Sequence, residues 1–396
     1  MSKTRRDLLS MGAAALPLLA APSLASAQGL LVNASIRRPA RIRLPESEAD
    51  VPRIYPRQLG VNWFGLETES AAPHGLWAPK GQDKGRSVPS HMSQIRALGF
   101  HAIRVPVSAN TLRGVETPDW AQQVGYPKKS LSGLGYLLEQ AGKHGLKVLL
   151  VLSNFNPKAQ SAGQAGKPYG PCSTCSNGEY TLNDWIGDLK LMAKVTTLYP
   201  NVVTGIEIWN EPHKLDWSSW ARLAEKGGEA VLSVNDKLDI LVDGVGGQHK
   251  GVWSHWGENF ADAVRDPVRL PKDRLVLAVH TYSPQFIKST HDYYKPGKGF
   301  PQTTPDYWDM FFGHAAKAGY RVQISEFAFG DRYGGRLSGR ELTWADLFFW
   351  YKRDRGIEEP SYFWSWNPNS DDTLGILEND WQSARADILS RLFPPA

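Results

Sequence analysis

Ile206-Glu207-Ile208-Trp209-Asn210-Glu211-Pro212 is an apolar, β-branched run that reads as a buried strand ending on an acidic residue followed by proline. A carboxylate is costly to bury unless it is partnered or neutral, so one placed where a strand stops points to chemistry. Proline cannot donate to a ladder and ends it there. A second stretch, Arg321-Val322-Gln323-Ile324-Ser325-Glu326-Phe327, repeats the order of strand, terminal glutamate and aromatic. Two such strand ends form a carboxylate pair if the chain brings them to one place.

Outward from these stretches, short β-rich runs alternate with amphipathic ones. Strands are expected at Leu59–Trp63, His101–Val105, Lys147–Leu152, Val203–Trp209, Asp239–Val242, Leu275–His280, Arg321–Ser325 and Tyr362–Trp364. Helical patterns cover Pro89–Leu98, Leu131–His144, Leu182–Tyr199, Trp217–Ser233, Thr304–Ala318, Thr343–Arg355 and Ala384–Leu392, with a short one at Asn259–Val264. Gly99, Gly145 and Gly319 stand where helices should stop. Strands alternating with helices eight times predict an α/β fold, a (β/α)8 TIM barrel in one domain over residues 57–396. In that architecture every strand points its carboxyl end to one face, so Glu211 on the fourth strand and Glu326 on the seventh share a rim. Each taken alone reads equally as a rim ion pair.

Before the barrel, Thr4-Arg5-Arg6-Asp7-Leu8-Leu9, the apolar run Met11–Ala21 and Ala25-Ser26-Ala27 have the order of a twin-arginine export signal over residues 1–27. The run is too short to span a membrane comfortably and contains Pro17, so no stable membrane insertion is expected after cleavage, and the product would be periplasmic or secreted. Residues 28–56 carry Arg37, Arg38, Arg41 and Arg43 among prolines and read as an extended lead-in. The formal charge of +5 falls to about +3 once Lys3, Arg5, Arg6 and Asp7 are removed, and the basic residues are scattered, so nothing argues for nucleic acid and none is expected as a partner. Fifteen tryptophans against five methionines are a surplus of flat, amphipathic rings that suit sugar faces as well as cores. Cys172 and Cys175 lie in a Gly/Pro/Ser-rich loop without enough further ligands for zinc, and in an exported chain read as a local disulfide.

Two carboxyl groups about 5 to 5.5 Å apart are what a retaining glycosidase needs. The chain resembles glycoside hydrolase family 5, the cellulase family, and within it the bacterial endo-β-1,4-glucanase branch. The resemblance rests on Asn210-Glu211-Pro212, Ser325-Glu326-Phe327, Gly60-Val61-Asn62-Trp63-Phe64-Gly65, His74-Gly75-Leu76-Trp77, Ala102-Ile103-Arg104-Val105-Pro106, Trp185-Ile186-Gly187-Asp188-Leu189, Ala230-Val231-Leu232-Ser233-Val234-Asn235, His280-Thr281-Tyr282 and Trp364-Ser365-Trp366-Asn367-Pro368-Asn369-Ser370. It implies a retaining mechanism without metal or cofactor, acting on internal β-1,4 bonds of cellulose-like or mixed β-glucan; separately from the resemblance, a monomer is expected. It also implies Glu211 as acid/base and Glu326 as nucleophile, with Arg104 and Tyr282 beside Glu326, His280 near Glu211, Asn210 on the sugar 2-hydroxyl and Trp364 under the cleaved sugar. His74, Trp77 and Asn367 are further candidates for glycan contact. Trp63 and Trp209 face either core or mouth. Other readings are the same mechanism on mannan or short oligosaccharides, by exo cleavage or transglycosylation, and a non-catalytic carbohydrate-binding barrel. One departure stands out: the family's histidine after the third strand is missing from Val151-Leu152-Ser153-Asn154-Phe155-Asn156-Pro157.

Overall fold

The computed structural model describes residues 45–79, 83, 85–155, 166–283, 299–330, 337–358, 360–370, 373 and 375–395, all within one compact unit, Ile42–Ala396. The export signal, most of the lead-in, and Asn156 and Pro157 lie outside these residues. In chain order the strands are β1 (Leu59–Asn62), β2 (Ala102–Ser108), β3 (Lys147–Asn154), β4 (Gly170–Pro171), β5 (Glu179–Tyr180), β6 (Val203–Glu207), β7 (Asp239–Asp243), β8 (Val245–His249), β9 (Val252–Asn259), β10 (Leu275–Tyr282), β11 (Arg321–Ala328) and β12 (Ser361–Phe363). Eight of them close in the order β1-β12-β11-β10-β7-β6-β3-β2, every pairing parallel. This is the expected barrel, with its strands at the expected places.

The barrel's interior layer is small against large. Ala102, Leu149, Leu241, Val276, Ala278 and Tyr362 form one buried cluster, separate from the larger core between strands and helices. Gly60 makes room for the Tyr362 ring, because a Cβ there would stand 2.3 Å from Tyr362 Cδ1. Gly60→Ala is expected to destabilise the protein by about 1–3 kcal/mol, the usual range for overpacking a filled core. A urea midpoint equal to that of the parent would show that the interior has slack.

Helices begin and stop where the side chains allow. Thr181 caps Leu182–Thr196 in a reciprocal capping box with Asp184, and Asp216 caps Trp217–Leu232. Ser338 accepts from Glu341 N and starts the Gly339–Arg355 helix earlier than its apolar pattern indicates. The Thr304–Ala318 pattern appears as Thr303–Trp308, a π turn at Asp309–Gly313 and His314–Lys317. Part of the lead-in is not simply solvated: Glu48, in a short 3-10 turn, pairs with Arg340 at 2.9 Å.

The fifth unit departs from expectation. Where the sequence pattern predicts a short helix at Asn259–Val264, β8 and β9 form an antiparallel hairpin ending at Asn259 and followed by turns. Lys250 and Gly251 take φ of 49° and 79°, the two positive values that a tight hairpin turn requires. A second small ribbon, β4 with β5, brackets the Cys172–Cys175 disulfide in the long connection after β3.

Candidate active site

Arg104 on β2 is the hub of the mouth. It is fully buried, and its Nε donates to Glu207 Oε2 at 2.9 Å while Nη2 donates to Glu207 Oε1. Nη1 donates to Asn62 Oδ1 at 2.8 Å and Glu326 Oε1 at 2.5 Å, and Nη2 also reaches Asn210 Oδ1 at 2.7 Å. One planar cation thus ties β1, β6, β11 and the turn after β6 together. Burial would raise the Glu207 carboxyl, but the charge and hydrogen bonds of Arg104 and His280 overcome it and hold its pKa down at about 2.

Glu326 on β11 has only 5% of its side chain exposed, against 17% for Glu211. Tyr282 donates its hydroxyl to Glu326 Oε2. Burial raises the Glu326 pKa above the usual carboxylate range, while His280 and Arg104 pull against that rise. Ladder pairing in β6 stops at Glu207, four residues before Glu211, so Glu211 stands on a turn beyond the strand and not at its last rung. Its φ is 51°, in the left-handed region that a glutamate seldom adopts. The Glu211 amide donates to Asp243 Oδ2 at 2.8 Å.

His280 on β10 joins the two glutamates. Its Nδ1 lies 2.9 Å from Glu211 Oε1 and 3.4 Å from Glu326 Oε2, and its Nε2 lies 3.4 Å from Asp243 Oδ2. Burial disfavours the imidazolium, but Glu326, Asp243, Glu207 and Glu211 together raise its pKa well above the ordinary histidine value. Oxygen atoms of Glu211 and Glu326 and a nitrogen of His280 all lie within 4.8 Å of one another, as do ligand-type atoms of Glu207, Asp243 and His280. Either trio has donors that a cation could use. The Arg104 guanidinium already sits on Glu207 and Glu326, so these trios are the acidic half of an ion-pair network with its own cation.

The aromatic candidates line one side of the mouth. Trp364 is half-buried, stacked on Phe64 at 5.5 Å and 10°, with its Nε1 donating to Ser370 Oγ at 3.0 Å. From Phe64 the rings continue edge-on through His74 and Trp77 to Trp120. Burial lowers the His74 pKa to about 4, so it is neutral in neutral solution. Asn367, expected to meet the glycan, is fully buried instead, and both ends of its amide bond the Phe64 backbone, at 3.2 and 3.1 Å. Trp63 and Trp209 are buried core residues, and Trp63 donates to His74 O. In the turn that lacks the histidine, Phe155 packs inward on Tyr180 and Trp209.

Three groups of this centre were not singled out as site residues from sequence: Asn62, Glu207 and Asp243. Glu207 lies in the deciding stretch and Asp243 ends Asp239-Ile240-Leu241-Val242-Asp243, so each is visible as an acid in a largely apolar run. The hairpin comes up against His280. Gly257, at φ 79°, lets its backbone approach the imidazole, since a Cβ would stand 2.7 Å from His280 Cγ. Beside it the buried Glu258 accepts from Tyr307 Oη at 2.6 Å, Thr281 Oγ1 at 2.9 Å and His255 N at 3.1 Å. Burial raises its pKa from 4.5 to about 7 against those bonds. The native state therefore holds a proton that the unfolded chain gives up above pH 4.5, and stability falls as pH rises from there through 7. Glu258→Gln is expected to flatten that slope and to stabilise the protein at pH 8 by on the order of 3 kcal/mol. Identical urea midpoints for both proteins from pH 5 to 8 would refute it.

Comparison with known proteins agrees with this geometry. The model of the family described as Cellulase (glycosyl hydrolase family 5) matches residues 55–370. The major extracellular endoglucanase of Xanthomonas campestris pv. campestris is 34% identical over 352 residues, covering 84% of this chain and 66% of that one. An endoglucanase of Paenibacillus polymyxa is 32% identical over 364 residues, covering 85% and 82%. Among solved structures, the catalytic domain of the Xanthomonas endoglucanase superposes with a TM-score of 0.70 at 30% identity, covering 88% of this chain and 98% of that one. An endocellulase from Pyrococcus horikoshii, solved with cellotetraose, gives 0.71 at 28% identity, covering 85% and 92%. An eight-stranded barrel whose mouth carries two facing glutamates joined by one histidine, matched over residues 55–370, belongs to the cellulase family, glycosyl hydrolase family 5.

Proposed function

We propose that the protein is a retaining endo-β-1,4-glucanase in which Glu326 is the nucleophile and Glu211 the acid/base, acting on cellulose-like or mixed β-glucan. The observation that carries this reading is the approach of Glu211 and Glu326 oxygens to within 4.8 Å. Retaining enzymes hold their carboxyl groups about 5 to 5.5 Å apart, whereas inverting ones leave about 6.5 to 9.5 Å for a water. In the first step a Glu326 oxygen attacks the anomeric carbon while Glu211 gives its proton to the departing glycosidic oxygen. In the second, Glu211 takes a proton from water, the water oxygen attacks the anomeric carbon, and Glu326 leaves.

The surroundings suit each half. Arg104 and the Tyr282 hydroxyl favour the ionised Glu326, and the His280 imidazolium meets the negative charge left on Glu211. Asn210, held by Arg104, is assigned the 2-hydroxyl of the sugar being cleaved. Trp364 is its stacking floor, extended along the rings of His74 and Trp77. Trp364→Ala is expected to lower kcat/KM on cellotetraose about tenfold to a hundredfold, since a fully buried aromatic face contributes about 1.5–3 kcal/mol. An unchanged value would remove it from the floor.

The deciding test of the reading is a reducing-end assay on carboxymethyl-cellulose, mixed-linkage glucan, xylan and mannan, with viscosity followed in parallel. Early loss of viscosity on the first two supports endo action on glucan. Activity confined to mannan moves the specificity, and binding without release of reducing ends leaves a carbohydrate-binding barrel. The protein is further proposed to act as a monomer outside the cytoplasm, exported by the twin-arginine route. Among the described residues no helix is long and apolar enough to cross a membrane. Replacing both Arg5 and Arg6 by Lys is expected to retain the enzyme in the cytoplasmic fraction; continued export would point to another route.

A further inference from the structure

Beneath the mouth lies a buried acid that the two-step mechanism does not use. Asp243 ends β7 with no exposed surface. Its Oδ2 accepts from the Glu211 amide at 2.8 Å and lies 3.4 Å from His280 Nε2, while Oδ1 has no hydrogen-bond partner among the described residues. The other groups that face His280 are Glu207 Oε1 at 3.6 Å, Arg104 Nη2 at 3.4 Å, Glu326 and Glu211.

We propose that Asp243 is a positioning residue for the acid step, clamping Glu211 from beneath at two points, its backbone amide and, through His280, its carboxylate. Glu211 needs such a clamp. It follows the last ladder bond of β6, and its backbone occupies the left-handed region at φ 51°, a conformation that a non-glycine residue keeps only when its surroundings hold it. The one hydrogen bond that its amide makes is to Asp243. The same carboxylate sits behind the imidazole whose other nitrogen is 2.9 Å from Glu211 Oε1, so backbone and side chain are held from a single residue on the neighbouring strand.

This rests on Glu211 being the acid/base, and the test separates the two claims. A residue that acts through the proton donor matters only when the leaving group needs a proton. The comparison is therefore kcat/KM on cellotetraose, whose leaving group is a sugar hydroxyl, and on 2,4-dinitrophenyl β-cellobioside, whose leaving group departs as the anion. Glu211→Ala, run as the reference, is expected to lose on the order of 10²- to 10⁴-fold on the first and under about tenfold on the second. Asp243→Ala is expected to show the same split, with a loss on cellotetraose of about a hundredfold. Asp243→Asn, which keeps an oxygen for the Glu211 amide, is expected to show a smaller split of the same sense, and it carries the test if the alanine variant does not fold by circular dichroism. Equal losses on both substrates, or parental rates on both, in an Asp243 variant beside a split in Glu211→Ala would overturn the role of Asp243 alone. No split in Glu211→Ala would overturn the assignment of Glu211 and the inference with it.

Discussion

Replacing Glu326 by alanine is expected to lower kcat on a soluble glucan by on the order of 10⁴- to 10⁶-fold, the scale on which removal of a covalent nucleophile is felt. The fold should survive, because the vacated oxygens leave Arg104 still bonded to Glu207, Asn62 and Asn210. Azide should restore part of the rate on an activated aryl cellobioside, and the product should be the α-azide. The small anion enters where Glu326 stood and attacks the same face of the sugar. Glu211→Ala should give the opposite anomer, because there the glycosyl-enzyme forms on Glu326 and azide intercepts it from the Glu211 side. The two anomers assign the two roles independently of rate. Parental turnover in either variant, or exchanged anomers, would undo the assignment that rests on the approach of Glu211 and Glu326 to within 4.8 Å.

The barrel was legible because its signals are periodic and local. β-branched runs recur with helical patterns between them, and Gly99, Gly145 and Gly319, with φ of 100°, 67° and 87°, stop their helices as read. The two glutamates were legible because each follows such a run. Three things were not. The hairpin after β7 depends on a Lys250-Gly251 turn in which a lysine takes positive φ, for which sequence gives little warning. Asn367 stood in a matched loop, but whether its amide faces sugar or the Phe64 backbone is a matter of tertiary packing. Glu207 and Asp243 are separated in the chain from the residues that hold them, Arg104 and His280, and only closure of the barrel brings the four together.

Arg104→Met is expected to cost both activity and fold. The arginine is fully buried, and its removal leaves Glu207 without the cation that holds its pKa at about 2. Breaking a buried pair by deleting one partner destabilises by about 3–5 kcal/mol, because the remaining charge stays unsolvated. A urea midpoint at pH 7 close to that of the parent would sink this expectation. The pH dependence gives a sharper check. In the parent, the depressed carboxyl contributes stability that is present above about pH 4.5 and is lost as pH falls toward 2. In Arg104→Met, burial pushes the same carboxyl upward against only the charge and hydrogen bond of His280, so this contribution shrinks and the variant should lose less stability than the parent as pH falls from 5 toward 2. Adding Glu207→Gln removes the stranded charge and should recover part of the midpoint at pH 7 without recovering turnover, since Glu326 would still lack the guanidinium 2.5 Å from its Oε1. Recovery of both would mean that Arg104 serves the fold alone. Recovery of stability without turnover separates its bond to Glu207, which holds the barrel's mouth together, from its bond to Glu326, which lowers that carboxyl's pKa against the effect of burial.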